Sequence, residues 1–217
     1  MTEDLRATVE RPTLDVAWSL LGARLVRGDR VARIVEVEAY LGPADLASHA
    51  RFGETPRSRP MYGEPGRAYV YLVYGMYHCL NVVTAPMGVP HAVLIRAVEP
   101  LAGIDLMRAA RLQADRRRHR TERPADLERV RARLDRTPDQ RLASGPGLVG
   151  AAFDLDRSLT GADLLDPAGP VHLEPAPPDE PPFRIATSPR IGIAYAGLPW
   201  TDLPWRFAIA GHPSVSR

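Results

Sequence analysis

Val35-Glu36-Val37-Glu38-Ala39-Tyr40-Leu41-Gly42-Pro43 is the stretch on which the reading of this chain turns. Side chains alternate along an extended backbone, so Glu36, Glu38 and Tyr40 face one side while Val35, Val37 and Ala39 face the other. The pattern predicts a strand with one face in the core and two carboxylates and a phenol on the other. Glycine and proline then end the run.

Within about thirty residues follows Tyr69-Val70-Tyr71-Leu72-Val73-Tyr74-Gly75-Met76-Tyr77, and six of the seven tyrosines lie between Tyr40 and Tyr77. Tyr69 and Tyr71 share a face if the segment is extended, and Gly75 lets the chain turn so that Tyr74, Met76 and Tyr77 project at its end. Rings with polar tips suit a planar, hydrogen-bonding ligand such as a nucleobase. A half-buried strand explains the same residues, since Tyr and Val are good strand formers.

At 217 residues, 45% hydrophobic and 25% charged, the chain is sized for a single domain of ordinary globular composition. No run approaches the length of a membrane span, and the start, with Glu3 and Asp4, lacks the basic and apolar regions of a signal peptide. An intracellular, cytoplasmic or nucleoid-associated protein is expected, with no membrane partner. The lone Cys79 and six scattered histidines predict no disulfide, no metal and no redox cofactor. All 28 basic residues are arginine. GC-rich codon usage accounts for that bias, but no lysine amine is then available for a Schiff base, so glycosidic chemistry would use water, barring the N-terminal amine.

Thr13 is placed to cap a short helix ending near Gly22, and strands are predicted at 23–26, 33–39, 68–73, 80–84 and 92–98. The loop from Leu41 to Gly66 is long enough to suggest a functional one. Leu101 to Leu142 reads as helical, divided at Pro124, and carries twelve arginines, including Arg116, Arg117, Arg118 and Arg120. It would attract a phosphate backbone, or form a solvated helix pair, and 112–141 is a candidate mobile segment, as are residues 1–11. Ser144 is placed to cap a helix whose glycines allow close approach. Pro175 to Pro182 reads as a surface loop, and Arg190 to Tyr195 and Trp205 to Ala210 as closing strands.

Together these segments, with Thr55-Pro56-Arg57-Ser58-Arg59, Leu94-Ile95-Arg96-Ala97-Val98-Glu99-Pro100, Ser144-Gly145-Pro146 and Arg190-Ile191-Gly192, resemble the alkyladenine (3-methyladenine) DNA glycosylase family of mixed α/β type. The resemblance runs from about Pro12 onward. It implies an α+β fold, a single domain over 1–217 with a curved, mostly antiparallel, barrel-like sheet, akin to a formyltransferase C-terminal domain, surrounded by helices. The implied activity is that of a monofunctional DNA glycosylase in base excision repair, which flips 3-methyladenine, 7-methylguanine, hypoxanthine or ethenoadenine from the duplex and hydrolyses the N-glycosidic bond. An abasic site remains for a downstream endonuclease, and a monomer is expected.

Carried over by residue, the resemblance makes Glu38 the base that activates water, with Arg96 and the main-chain carbonyl near Ile209 holding that water. Tyr40, His49 and Tyr71 become the walls of the base pocket and Asn81 the residue that disfavours guanine. Tyr74 becomes the wedge that enters the duplex, with Met76 and Tyr77 beside it. The residues alone leave Glu36 and Glu38 evenly matched as the base, and the resemblance favours Glu38. Arg96 could equally pair Glu36 or Glu99, His49 could fix the backbone of Ala47 or Gly53, and Asn81 could satisfy backbone groups. Two other functions compete: a lesion-binding protein that no longer cleaves, and a small-molecule enzyme on a related barrel. The arginine-rich span and His78 depart from the family pattern.

Overall fold

A computed structural model describes residues 5–119 and 123–216; Arg120, Glu3 and Asp4 lie outside them. The helices are α1 (Leu5–Val9), α2 (Thr13–Ser19), α3 (Ile104–His119), α4 (Pro124–Arg136) and α5 (Pro146–Ala152). The strands are β1 (Arg24–Arg27), β2 (Arg30–Leu41), β3 (Ala68–Val73), β4 (Tyr77–Thr84), β5 (His91–Ala102), β6 (His172–Glu174), β7 (Ile185–Ser188) and β8 (Arg206–Ile209). They form one antiparallel sheet in the order β3-β4-β5-β2-β1-β6, with β8 pairing β2 and β7 pairing β8. The expected α+β architecture is present, as a curled half-barrel in a single compact domain.

The decisive strand is β2. Along one edge it pairs β5 throughout, but along the other it changes partner, from β1 over Arg30 to Arg33 to β8 over Glu36 to Glu38. Irregular register at Ile34, Glu36 and Val37 marks the change, and such bulges bend a strand and sharpen its twist. Both faces of β2 are covered at this point: Val35, Val37 and Ala39 enter the main core, while Glu36 and Glu38 are also fully buried. The polar face therefore lies inside the protein, under the segments that follow β7 and β8.

Helix α5 fixes β4 from behind. A Cβ on Gly150 would stand 1.9 Å from the carbonyl oxygen of His78, and one on Gly147 would stand 2.7 Å from Tyr77 Cγ. Only glycine lets the helix lie this close. The helix begins after Gly145, at φ +136, rather than at a Ser144 cap, because the Ser144 hydroxyl donates to Val215 O. Thr13 is likewise not a cap: α2 starts after Pro12, and the Thr13 hydroxyl bonds Thr84 and His91 inside the protein.

Pro124 does divide the arginine-rich span, as the first residue of α4. Two of its arginines hold the helices together: Arg133 of α4 pairs with the buried Asp115 of α3, and Arg108 of α3 reaches Leu134 O, Thr137 O and Asp139. Arg190 to Tyr195, read as a strand, is irregular with a short turn at Ala194–Ala196; the strand is the preceding β7. The long loop from Leu41 is ordered by Asp45, whose carboxylate accepts from Leu41 N and Ala47 N and pairs bidentately with the fully buried Arg190.

Candidate active site

A cavity of about 580 Å³ opens beside β2, lined by Tyr40, His49, Tyr69, Tyr71, Asn81, Arg96 and Ile191 among others. Its size is that of a small-molecule site. Glu38 does not itself line the cavity; it is fully buried directly behind residues that do. Its Oε2 accepts from Arg96 Nη1 at 3.1 Å and from the Tyr40 hydroxyl at 2.9 Å, and its Oε1 accepts from Ile191 N at 2.7 Å. All three donors belong to cavity-lining residues. A carboxylate has about four acceptor positions, so one remains on Oε1, on the side of Ile191. Burial pushes the Glu38 carboxyl above the usual glutamate range, against the pull of Arg96, Ile191 N and Tyr40.

Glu36 is its opposite. It accepts from Arg96 Nε at 2.9 Å, Arg206 Nε at 2.7 Å, Ser216 Oγ at 2.8 Å and Ser216 N at 2.7 Å. Desolvation acts upward on this carboxyl too, but Arg96, Ser216 N and Arg206 outweigh it and hold Glu36 below the usual range. Three of these donors share Oε1 and Ser216 N alone bonds Oε2, and Glu36 has no place on the cavity wall. Arg96 thus joins both carboxylates, while Glu99 is paired with Arg33 instead.

The aromatic wall is built by β3 and the long loop. The rings of Tyr69 and Tyr71 lie 5.4 Å apart on one face of β3, and His49 meets Tyr71 edge-on at 4.5 Å. His49 Nδ1 bonds the Tyr69 hydroxyl at 2.8 Å, so its partner is a pocket phenol rather than the Ala47 or Gly53 backbone. Burial, with Arg57 and Arg51 adding repulsion, pushes His49 down to about 4, so the ring is neutral near pH 7. Asn81, opposite Tyr69 across the β3–β4 ladder, donates its amide to Tyr69 O at 3.0 Å while lining the cavity. Cys79, opposite Tyr71, has its thiol pushed up to about 11 by burial and is unreactive at neutral pH.

At the β3–β4 turn Tyr74 is 80% exposed with φ +53, and Gly75 follows at φ +67. A bulky residue in the left-handed region is strained, and this one projects its ring into solvent at the cavity rim. Met76 is half exposed beside it. Tyr77 is not: its ring packs on Gly147 and its hydroxyl accepts from Arg118. The main-chain carbonyl of Ile209 is not at the carboxylate either. Glu38 lies opposite Arg206 on β8, three residues away, and Ile209 O accepts from His212 N. The main-chain group that contacts Glu38 is the N–H of Ile191.

Tyr69, Arg57, Arg206 and Ser216 also sit at or behind this site without having been singled out. Tyr69 stood in the tyrosine run and Arg57 in the quoted loop, but nothing local marks Arg206 or Ser216. Among the described residues, no three or more His, Cys, Asp or Glu side chains gather as a metal would require.

Residues 7–213 match the family model described as methylpurine-DNA glycosylase. Relatives named "Putative 3-methyladenine DNA glycosylase" include one from Anaeromyxobacter dehalogenans, 44% identical over 98% of this chain and 84% of its own length. Others of that name come from Methanocella arvoryzae, 44% identical over 96% of this chain and 92% of the relative, and Bacillus cereus, 42% identical over 96% of each. With a family model spanning nearly all of it and relatives this similar along its length, the chain belongs to the methylpurine-DNA glycosylase family.

Proposed function

We propose that this chain is a monofunctional DNA-3-methyladenine glycosylase, which extrudes an alkylated or deaminated purine into the tyrosine-lined cavity and hydrolyses its N-glycosidic bond with water activated by Glu38. The observation that carries this reading is the single open acceptor position on Glu38 Oε1, beside a cavity whose wall donates every other hydrogen bond the carboxylate receives. A water seated there gives its proton to Glu38, its oxygen bonds the anomeric carbon, and the base departs with the glycosidic electron pair. The buried carboxylate also stabilises the positive charge that grows on the sugar. Glu36 is set further back: of the residues that donate to it, Arg96 lines the cavity, while Arg206 and Ser216 do not.

Extrusion is needed because the bond to be cut is unreachable inside the stack. Tyr40, His49, Tyr71 and the adjacent Tyr69 would offset the stacking the base loses, Asn81 would screen its edge, and Tyr74, already strained outward, would fill the gap with Met76 beside it. An alkylated purine is cationic and leaves as a neutral molecule, whereas hypoxanthine needs a proton as it goes. A neutral His49 does not supply one. Cationic lesions are therefore the better substrates. With no lysine in the chain, the product is an intact strand with an abasic site, left for a separate endonuclease.

Incubating the protein with methylated duplex DNA and separating the released bases tests the reading. Free 3-methyladenine and 7-methylguanine, with strand breaks appearing only after alkali, are expected. Tight binding to lesion DNA without any released base would make the chain a lesion-binding protein instead.

A further inference from the structure

We propose that Glu36 is a positioning residue of the reaction: together with Ser216 and Arg206 it locks the guanidinium of Arg96 in the one orientation that holds Glu38 beside the cavity. This rests on Glu38 being the base. The Arg96 fork is planar and rigid, and each of its three nitrogens has a different partner: Nε on Glu36 at 2.9 Å, Nη1 on Glu38 at 3.1 Å and Nη2 on Ser216 Oγ at 3.3 Å. Three directions fix a plane. Two of them depend on Glu36, because Ser216 is itself held there through its backbone N–H and its hydroxyl. Arg206, which also donates to Ser188 Oγ and Ser216 O, ties the same carboxylate to β7 and to residue 216.

Folding alone gives little reason for this arrangement. A buried ion pair can often be exchanged for well-packed apolar side chains at no loss of stability, and the opposite face of β2 shows that valine and alanine fit this strand. What apolar residues cannot do is aim a guanidinium. Glu36 does not line the cavity, and of the side chains it bonds only Arg96 does, so its influence on the chemistry passes through Arg96.

The charged and titratable groups around Glu38 are Arg96 on β5, Glu36 and Tyr40 on β2, Tyr71 on β3, Cys79 on β4, Arg206 on β8 and Arg190 over the Tyr40 ring. Replacing Glu36 by glutamine removes the one other negative charge from this set and leaves Arg96 to act on Glu38 alone. Glu38 then holds its proton less well and is a weaker base.

The decisive experiment is single-turnover base release across pH for wild type, Glu36→Gln, Glu36→Asp and Ser216→Ala, with Glu38→Gln in parallel. Glu36→Gln is expected to lower the plateau rate about 10- to 100-fold, the scale of a misplaced reacting group, at an unchanged half-saturating protein concentration. Its acid limb should move to lower pH. Glu36→Asp, which keeps the charge, should leave the limb where wild type has it. Ser216→Ala, which keeps every charge and removes one anchor of Arg96, should slow the plateau rate without moving the limb, and it decides the matter if Glu36→Gln does not fold. A limb that stays put in folded Glu36→Gln, or a wild-type plateau rate in Ser216→Ala, overturns the proposal while an inactive Glu38→Gln leaves the base intact. Activity in Glu38→Gln overturns the reading beneath it.

Discussion

The backbone N–H of Ile191 donates to Glu38 Oε1 at 2.7 Å, across 153 positions of sequence. This contact brings the segment after β7 over the polar face of β2 and turns a solvent-facing carboxylate pair into a buried one. Asp45 and Arg190 hold the segment down. Their bidentate pair is fully buried, and Arg190 also donates to Ala39 O and stacks 4.8 Å from the Tyr40 ring and 4.9 Å from that of Trp205.

Asp45→Asn should therefore destabilise the protein by about 3–5 kcal/mol, because it leaves Arg190 charged, buried and poorly paired. Thermal melting checks this. A melting temperature within a degree or so of wild type would mean that the pair does not fasten the segment.

Gly150→Ala forces a methyl group against the His78 carbonyl. The helix or strand must shift, at a cost of about 1–3 kcal/mol. Denaturant unfolding should show that loss, and base release should slow as well, since β4 carries one arm of the Tyr74 turn.

Tyr74→Ala and Tyr74→Gly should leave the melting temperature unchanged or, for glycine, raise it slightly, because the residue is exposed and held at positive φ. Unstacking a base step costs about a few kcal/mol, so losing the side chain that offsets it should slow base release by at least about tenfold. Stability and rate moving apart in this way would mark Tyr74 as a DNA contact. A wild-type rate would remove it from that role.

The pH dependence has a definite sign. Burial raises the Glu38 carboxyl above the usual 4.5, and the base works only when ionised, so activity falls as pH drops through that raised value. The acid limb of the single-turnover profile should lie above 4.5. His49, pushed down to about 4, adds no step near neutral pH, and His49→Gln should keep the limb in place while weakening lesion binding.

Much of this site was legible in sequence where the signal is local. Alternation put Glu36, Glu38 and Tyr40 on one face of β2, and Tyr69 and Tyr71 on one face of β3, because a strand's period survives whatever packs on it. Contacts set by register over long separations were not legible. Nothing near Ser216 or Arg206 indicates that they close on Glu36, 180 and 170 positions away. The same blindness hid the contact of Ile191 N with Glu38. Arg190 to Tyr195 has the apolar alternation of a strand, yet its backbone is drawn off the sheet by the Arg190 pair and by Glu38. Ser144 and Thr13 have cap chemistry, but tertiary partners claim their hydroxyls.

The most direct measurement is single-turnover base release from a labelled duplex carrying one lesion, comparing wild type with Glu38→Gln and scoring strand breaks with and without alkali. Catalysis by a Glu38-activated water predicts alkali-dependent breaks with wild type and a rate at least about 10²-fold lower with Glu38→Gln, at similar lesion affinity. Comparable release by both proteins would contradict it.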